Sequence, residues 1–207
     1  MPDRARSDTA STPTAAEWMA GQLSEHVAAG EAAAALLPEA REVAELLCRA
    51  FEGRGILYTF GNGGSAADAQ HFTGEIIGHY KRDRRALGAV TLSTDPTAMT
   101  CIANDYSYDD VFARQIAGLA RQGDVVAAFS TSGNSPNIVS GLRAAREAGA
   151  GTVLFGGGRG GEAVGYADHA LLSPSTVTPR IQEVHTFLLH VISERVDAWA
   201  AGDGGYP

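Results

Sequence analysis

The stretch GNGGSAADAQHFTGE, from Gly61 to Glu75, follows the apolar run Ile56 to Phe60. That run mixes β-branched and aromatic residues and is flanked by glycines, which favours a buried strand. Behind the glycines, SAADAQHF is rich in helix formers, with Ser65 placed as an N-cap and Asp68 three residues on. The whole reads as strand, glycine-rich turn and helix. Such a turn leaves backbone N–H groups and the positive end of a helix dipole open to an anion, typically a phosphate. His71 and Glu75 are four residues apart and share a face of the same helix. One short helix thus offers an anion cradle at its start and a metal-ligand or acid–base pair further along, a combination suited to a small phosphorylated molecule.

The same logic recurs downstream. Asp124 to Phe129 (DVVAAF) forms a strand that runs into Ser130, Thr131, Ser132, Gly133, Asn134 and Ser135, and Pro136 opens a helix through Ala148. An N-cap and a polar loop would explain one or two of these hydroxyls; four at one strand-to-helix turn suit an array of phosphate oxygens. Further strands are expected at Ala89–Leu92, Gly151–Phe155 and Ala170–Leu172, with Gly156 to Gly161 as a mobile turn. Helices are expected over 15–51, the second of the two starting at Pro38, and over Asp95–Asn104, Asp109–Ala120 and Pro179–Trp199. Alternating strands and helices imply a single α/β domain over 15–200, a parallel sheet with helices on both faces and N-terminal helices before it. Ligands of such sheets bind beyond the carboxyl ends of the strands, where both turns lie. Residues 1–14 and 201–207 offer little to bury and read as a disordered tail and a flexible C-terminus.

Composition narrows the function. With 207 residues, 44% of them hydrophobic and 19% charged, the chain can build one good core, and no apolar run reaches the length of a membrane span. A net charge of −8 argues against a nucleic-acid surface, so an anionic ligand must be held locally by turns and helix ends. Lys81, the single lysine, lies outside any Gly-Lys-Ser/Thr and past the predicted helix, which sets aside a Walker loop and a Schiff base. Cys48 and Cys101 form no CxxC and indicate neither a metal site nor a disulfide. Arg4 and Arg6 have no apolar stretch behind them, so no secretory signal is expected and a cytoplasmic location is.

Each motif also has an ordinary explanation. GNGGSA matches the dinucleotide pattern through Gly61, Gly63 and Ala66, but no acidic residue closes a strand about 20 residues later. His71 and Glu75 alone would be a surface pair. The C-terminal helix strengthens them: Gln182 and His190 stand among apolar residues about 80° apart around the helix, so one face can present both. Glu183 and His185 are read as solvated positions. Asn104 and Asp105 follow a predicted helix and serve as well as a C-cap turn. Trp18, Met19 and Leu23 serve equally as core packing or as a subunit interface.

GNGGSAADAQHF, the Asn104-Asp105 pair, GDVV followed by STSGNSPN, and RIQEVH occur in this order between about Tyr58 and Asp197, and together they resemble the sugar isomerase (SIS) domain family, closest to its phosphoheptose isomerases. The resemblance implies a flavodoxin-like parallel-sheet SIS sandwich, assembled as a homotetramer with active sites between subunits. It implies a phosphorylated sugar, sedoheptulose 7-phosphate, bound by Asn62, Gly63, Gly64, Ser65, Glu75, Asn104, Asp105, Ser130, Thr131, Ser132, Ser135 and Gln182. It further implies Zn2+ on His71, Glu75, Gln182 and His190, with Glu75 and His190 as the catalytic pair. A non-catalytic SIS adaptor, similar to the replication-initiator-associating protein, lacks that pair. An SIS isomerase for a pentose or hexose phosphate is the other alternative.

Overall fold

The structure is a computed structural model and describes residues 13–203. The first twelve residues of the expected tail and the last four of the expected C-terminus lie outside the described residues. Helix α1 (Ala15–Ala32) starts where Thr14 and Glu17 form a reciprocal capping box. A short 3-10 turn leads to α2 (Leu37–Glu52), with Pro38 in its first turn as expected.

Five parallel strands make one sheet: β1 (Leu57–Gly61), β2 (Ala89–Thr91), β3 (Val125–Ser130), β4 (Gly151–Gly157) and β5 (His169–Ser173), in the order β2-β1-β3-β4-β5. The remaining helices are α3 (Gly64–Ile77), α4 (Pro96–Asp105), α5 (Ala113–Leu119), α6 (Pro136–Glu147) and α7 (Thr178–Ala200). This is the flavodoxin-like order expected for the SIS sandwich. The helix expected over Asp109–Ala120 divides into a 3-10 turn at Tyr108–Asp110 and α5.

Successive strand residues point to opposite faces. Leu57, Val125, Ala127, Phe129, Val153, Phe155 and Leu171 meet α2, α3 and α7 in one core. Tyr58, Phe60, Val126, Ala128 and Leu154 meet α5 and α6 in the other. Both faces are covered, so β3 is buried at every position. The order reverses between β1 and β3, whose registers place Gly61 opposite Phe129. The glycine turn and the serine turn therefore leave the sheet side by side at its topological switch point.

Candidate active site

The turn after β1 is built by glycine. Gly63, not Ser65, is the N-cap of α3, with φ +56, a conformation open to glycine at no steric cost. The expected serine cap is thus corrected, because the turn needs a left-handed residue one step before the helix. Ser65 is instead buried in the first turn and faces the cleft. Ser65 and Ala66 N–H close on the Asn62 and Gly63 carbonyls (both 3.0 Å), while the amides ahead of them stand at the open end of the helix. At Gly64 a Cβ would meet the side-chain amide of Gln182, which lies across the start of α3, so a larger residue there would displace that amide.

Beside it, Ser130 Oγ accepts the Gly133 N–H (3.0 Å) and Ser132 Oγ accepts the Asn134 N–H (3.2 Å), which folds the serine turn back on itself. Ser135 is the N-cap of α6, yet its hydroxyl makes no capping bond. A cavity of about 70 Å³ is lined by Asn62, Ser65, Phe129, Ser130, Thr131, Ser132 and Ser135. The glycine run after β4 is not the free turn expected from its composition. Gly133 packs against Gly160 so closely that no Cβ fits, Ala163 N–H donates to the Gly133 carbonyl (2.9 Å), and Glu162 N–H donates to Asn134 Oδ1 (2.9 Å). The run backs the serine turn from behind.

Asn137, 2% exposed, is absent from the expected site residues although it closes the STSGNSPN motif. It exchanges two amide hydrogen bonds with Asn62 (2.9 Å each), tying the two turns together, and Tyr108 donates to the same Asn62 oxygen (3.1 Å). Only a motif-level comparison of the two turns could pair these asparagines from sequence.

From this cradle a polar strip runs between α3 and α7. Gln182 lies at Gly64, Thr186 Oγ donates to Asp68 Oδ1 (3.3 Å), and His190 meets His71, so the two helices run side by side in the same direction. Burial pushes the Asp68 carboxyl up to about 6. At the far end His71 Nε2 is 3.1 Å from Glu75 Oε1 and 3.2 Å from His190 Nε2, and the ligand atoms of the three residues all lie within 4.8 Å of one another. Burial, and after it the neighbouring His71, lower the His190 pKa against the pull of Glu75. His71 and Glu75 of α3 thus meet His190 of α7.

Other expected residues lie outside this three-residue cluster. Gln182 lies eight residues before His190 on α7, about 12 Å along the axis, and its amide is at the cradle end. Asn104 and Asp105 are the last residues of α4 rather than a C-cap turn, since Tyr106 is the cap; they are exposed and bond each other (2.8 Å), with Cys101 beside Asp105. Glu183 bonds His26 of α1 (2.8 Å), which ties α1 to α7, and within α7 it accepts from Arg180 (2.7 Å), whose guanidinium also donates to the Gln22 carbonyl of α1. His185, expected in solvent, is fully buried: its Nε2 meets the Gly156 carbonyl at 2.9 Å and its ring stands edge-on to Phe129 and Phe155. It props the strand end next to Ser130.

A family model described as SIS domain matches residues 28–157. The phosphoheptose isomerase of Bradyrhizobium sp. (strain ORS 278) is 45% identical over 183 residues, covering 85% of this chain and 92% of that protein. The chain belongs to the SIS domain family, in its phosphoheptose isomerase branch. The phosphoheptose isomerase of Pelobacter propionicus is 48% identical to this SIS chain over 160 residues, 77% of it and 85% of the relative. Among solved structures, a phosphoheptose isomerase from Neisseria gonorrhoeae superposes with a TM-score of 0.85 at 38% identity, over 89% of the SIS chain and 100% of its own. One from Francisella tularensis gives 0.87 at 29% identity, over 89% and 99%. This SIS domain is that of an isomerase enzyme, which removes the adaptor alternative. Among the described residues no helix is long and apolar enough to cross a membrane.

Proposed function

We propose that the protein converts D-sedoheptulose 7-phosphate to D-glycero-D-manno-heptose 7-phosphate, with the phosphate in the cradle and C1 and C2 at the His71, Glu75 and His190 cluster. The observation that carries this is the distance between the two ends. Gly64 and His71 are seven residues apart on α3, about 10 Å of helix. From C1 of an extended heptose 7-phosphate to its phosphorus are eight bonds, and at the extended-chain advance of about 1.2 Å per bond these also span about 10 Å. A hexose or pentose phosphate would fall short by about one or two such steps.

Bound this way, the phosphate meets the hydroxyls of Ser65, Ser130, Thr131, Ser132 and Ser135 and the amide ends of Asn62, Gly63 and Gly64. Gln182, Asn104 and Asp105 supply polar groups for the sugar hydroxyls. Glu75 takes a proton from C1 and returns it to C2, while His190 takes the O1 proton and delivers one to O2, so the ketose becomes the aldose with no net gain or loss. Glu75 Oε1 faces His71, leaving the second oxygen for the carbon-bound proton.

The donor set also fits a zinc ion. In a tetrahedral site with bonds of about 2.0 to 2.1 Å, neighbouring ligand atoms sit about 3.3 Å apart, close to the 3.1 and 3.2 Å from His71 to Glu75 and His190, while the set as a whole spans up to 4.8 Å and would draw in slightly around an ion. His71, Glu75 and His190 would hold it, with Gln182 joining only by swinging away from Gly64. Bound there, zinc supplies a Lewis acid for a substrate carbonyl.

We further propose a cytoplasmic homotetramer with sites between subunits. Supporting this, Met19, Leu23 and Val27 repeat along α1 and, with Trp18, are 48 to 64% exposed, an apolar face that a second copy would cover. The test of the length argument is a series of 2-ketose phosphates with five, six and seven carbons. The kcat/KM should be highest for the heptulose, and equal or higher values for a shorter sugar would overturn it.

A further inference from the structure

The segment after α3 is fastened to α7 by a buried charge. Asp197 is fully buried and accepts the backbone N–H groups of Tyr80 (3.2 Å), Lys81 (2.9 Å) and Arg82 (2.7 Å), together with Arg84 Nε (3.0 Å). The Arg84 side chain is 1% exposed, and its guanidinium also donates to the backbone carbonyls of Glu75 (2.8 Å) and Gly78 (3.2 Å). The carboxylate has four donors and the guanidinium several acceptors, so both charges are well satisfied. Asp197 follows His190 by seven residues, about two turns, on the same face of α7. One buried pair therefore grips the backbone of Glu75 on α3 and the helix that carries His190.

Between these anchor points stands Tyr80. Its ring lies over the His190 imidazole, with centroids 5.6 Å apart and planes at 25°. The ring of His71 meets His190 edge-on, 4.8 Å away at 77°. Lys81 sits over the Tyr80 ring, 5.1 Å from its centroid, and bonds Glu194 (2.8 Å). His190 is half-buried, and turning its ring would carry Nε2 away from His71 and Glu75. An offset stack on one face and an edge contact from His71 oppose that turn.

We propose that Tyr80, locked by the Asp197–Arg84 pair, is a positioning residue that holds the His190 imidazole in register with His71 and Glu75. It touches no reacting atom; its ring sets the plane of one that does. The inference rests on the proposed reaction for its kinetic consequence, but the contact can be read without substrate.

The experiment compares full-length wild type, Tyr80→Phe and Tyr80→Leu. With saturating sedoheptulose 7-phosphate, Tyr80→Leu should lose at least tenfold in kcat, in the range seen when groups that orient a site's ligands are removed, with KM within about twofold. Tyr80→Phe, which keeps the ring, should stay within about threefold of wild type in kcat. In parallel, NMR of the histidine ring protons in the free proteins should show His190 displaced in the leucine variant and nearly unmoved in the phenylalanine variant. Wild-type kcat in Tyr80→Leu, a loss confined to KM, or a phenylalanine variant as impaired as the leucine one would overturn the proposal. So would an unmoved His190 signal. If wild type itself does not turn over the sugar, the isomerase reading fails, and the NMR comparison alone decides whether Tyr80 holds His190.

Discussion

Acid should loosen this protein through His185. The ring is fully buried, edge-on to the stacked pair Phe129 and Phe155, its Nε2 bonds the Gly156 carbonyl, and its Nδ1 has no partner among the described residues. Only the neutral ring suits this place, since the imidazolium would present a second N–H to apolar surroundings. Burial accordingly pushes the His185 pKa down from 6.5 to about 4. A depressed folded pKa means that the unfolded chain binds the proton more readily, so stability is whole above pH 6.5 and falls as pH drops toward 4. At about 1.4 kcal/mol per pH unit the loss is about 2 kcal/mol at pH 5 and about 3 kcal/mol well below pH 4. For a chain of this size the pH 5 loss corresponds to a Tm lower by about 4 to 8 °C.

The perturbation is His185→Gln, whose amide can still donate to Gly156 but does not titrate. Thermal unfolding followed by circular dichroism at pH 7.5 and pH 5 would compare the two proteins. Other groups titrate in both, so the quantity of interest is the difference between their pH-induced shifts. The variant should lose less stability on acidification by the amounts above, whatever its starting Tm. Equal losses in the two proteins would refute the assignment of the acid sensitivity to this ring.

Three further outcomes follow from the site. Glu75→Gln should lower turnover by about 10² to 10⁴ while calorimetry finds sugar phosphate binding within a few-fold of wild type; unchanged kcat would remove Glu75 from its role. Gly64→Ala should push the Gln182 amide off the start of α3 and raise KM for the phosphorylated sugar at least several-fold, and wild-type kinetics would show that this close approach is dispensable. Chelator-treated protein should lose activity and regain it with added zinc; full activity with the metal removed, checked by elemental analysis, would leave the cluster a metal-free acid–base site.

The strand, glycine turn and helix around Gly61 to Glu75 are legible in the amino-acid sequence because a buried parallel strand is a short apolar run and its turn must be glycine. The usual preference for a serine cap misplaces the start of α3, where Gly63 at positive φ takes that role. His185 lies four residues after Ile181 and three before Leu188, squarely on the apolar face of α7, and that phase is the signal for its burial. Its polarity masks it, because a lone histidine among aliphatic residues looks the same on either face. The clamp of Asp197 on Tyr80 joins residues 117 positions apart, and no local pattern announces such a bond. The cluster lies between these extremes: His71 and Glu75 share a helix face by spacing alone, whereas His190 joins them only because α3 and α7 run in parallel.

The most direct measurement is to incubate the purified protein with sedoheptulose 7-phosphate in D2O, with and without added zinc, and follow the sugar by NMR. A single manno-configured aldoheptose 7-phosphate should accumulate, with deuterium at C2 wherever the proton on Glu75 exchanges before its return. No conversion, from folded protein that still binds the sugar phosphate, would contradict the assignment of Glu75 and His190 to the proton transfer.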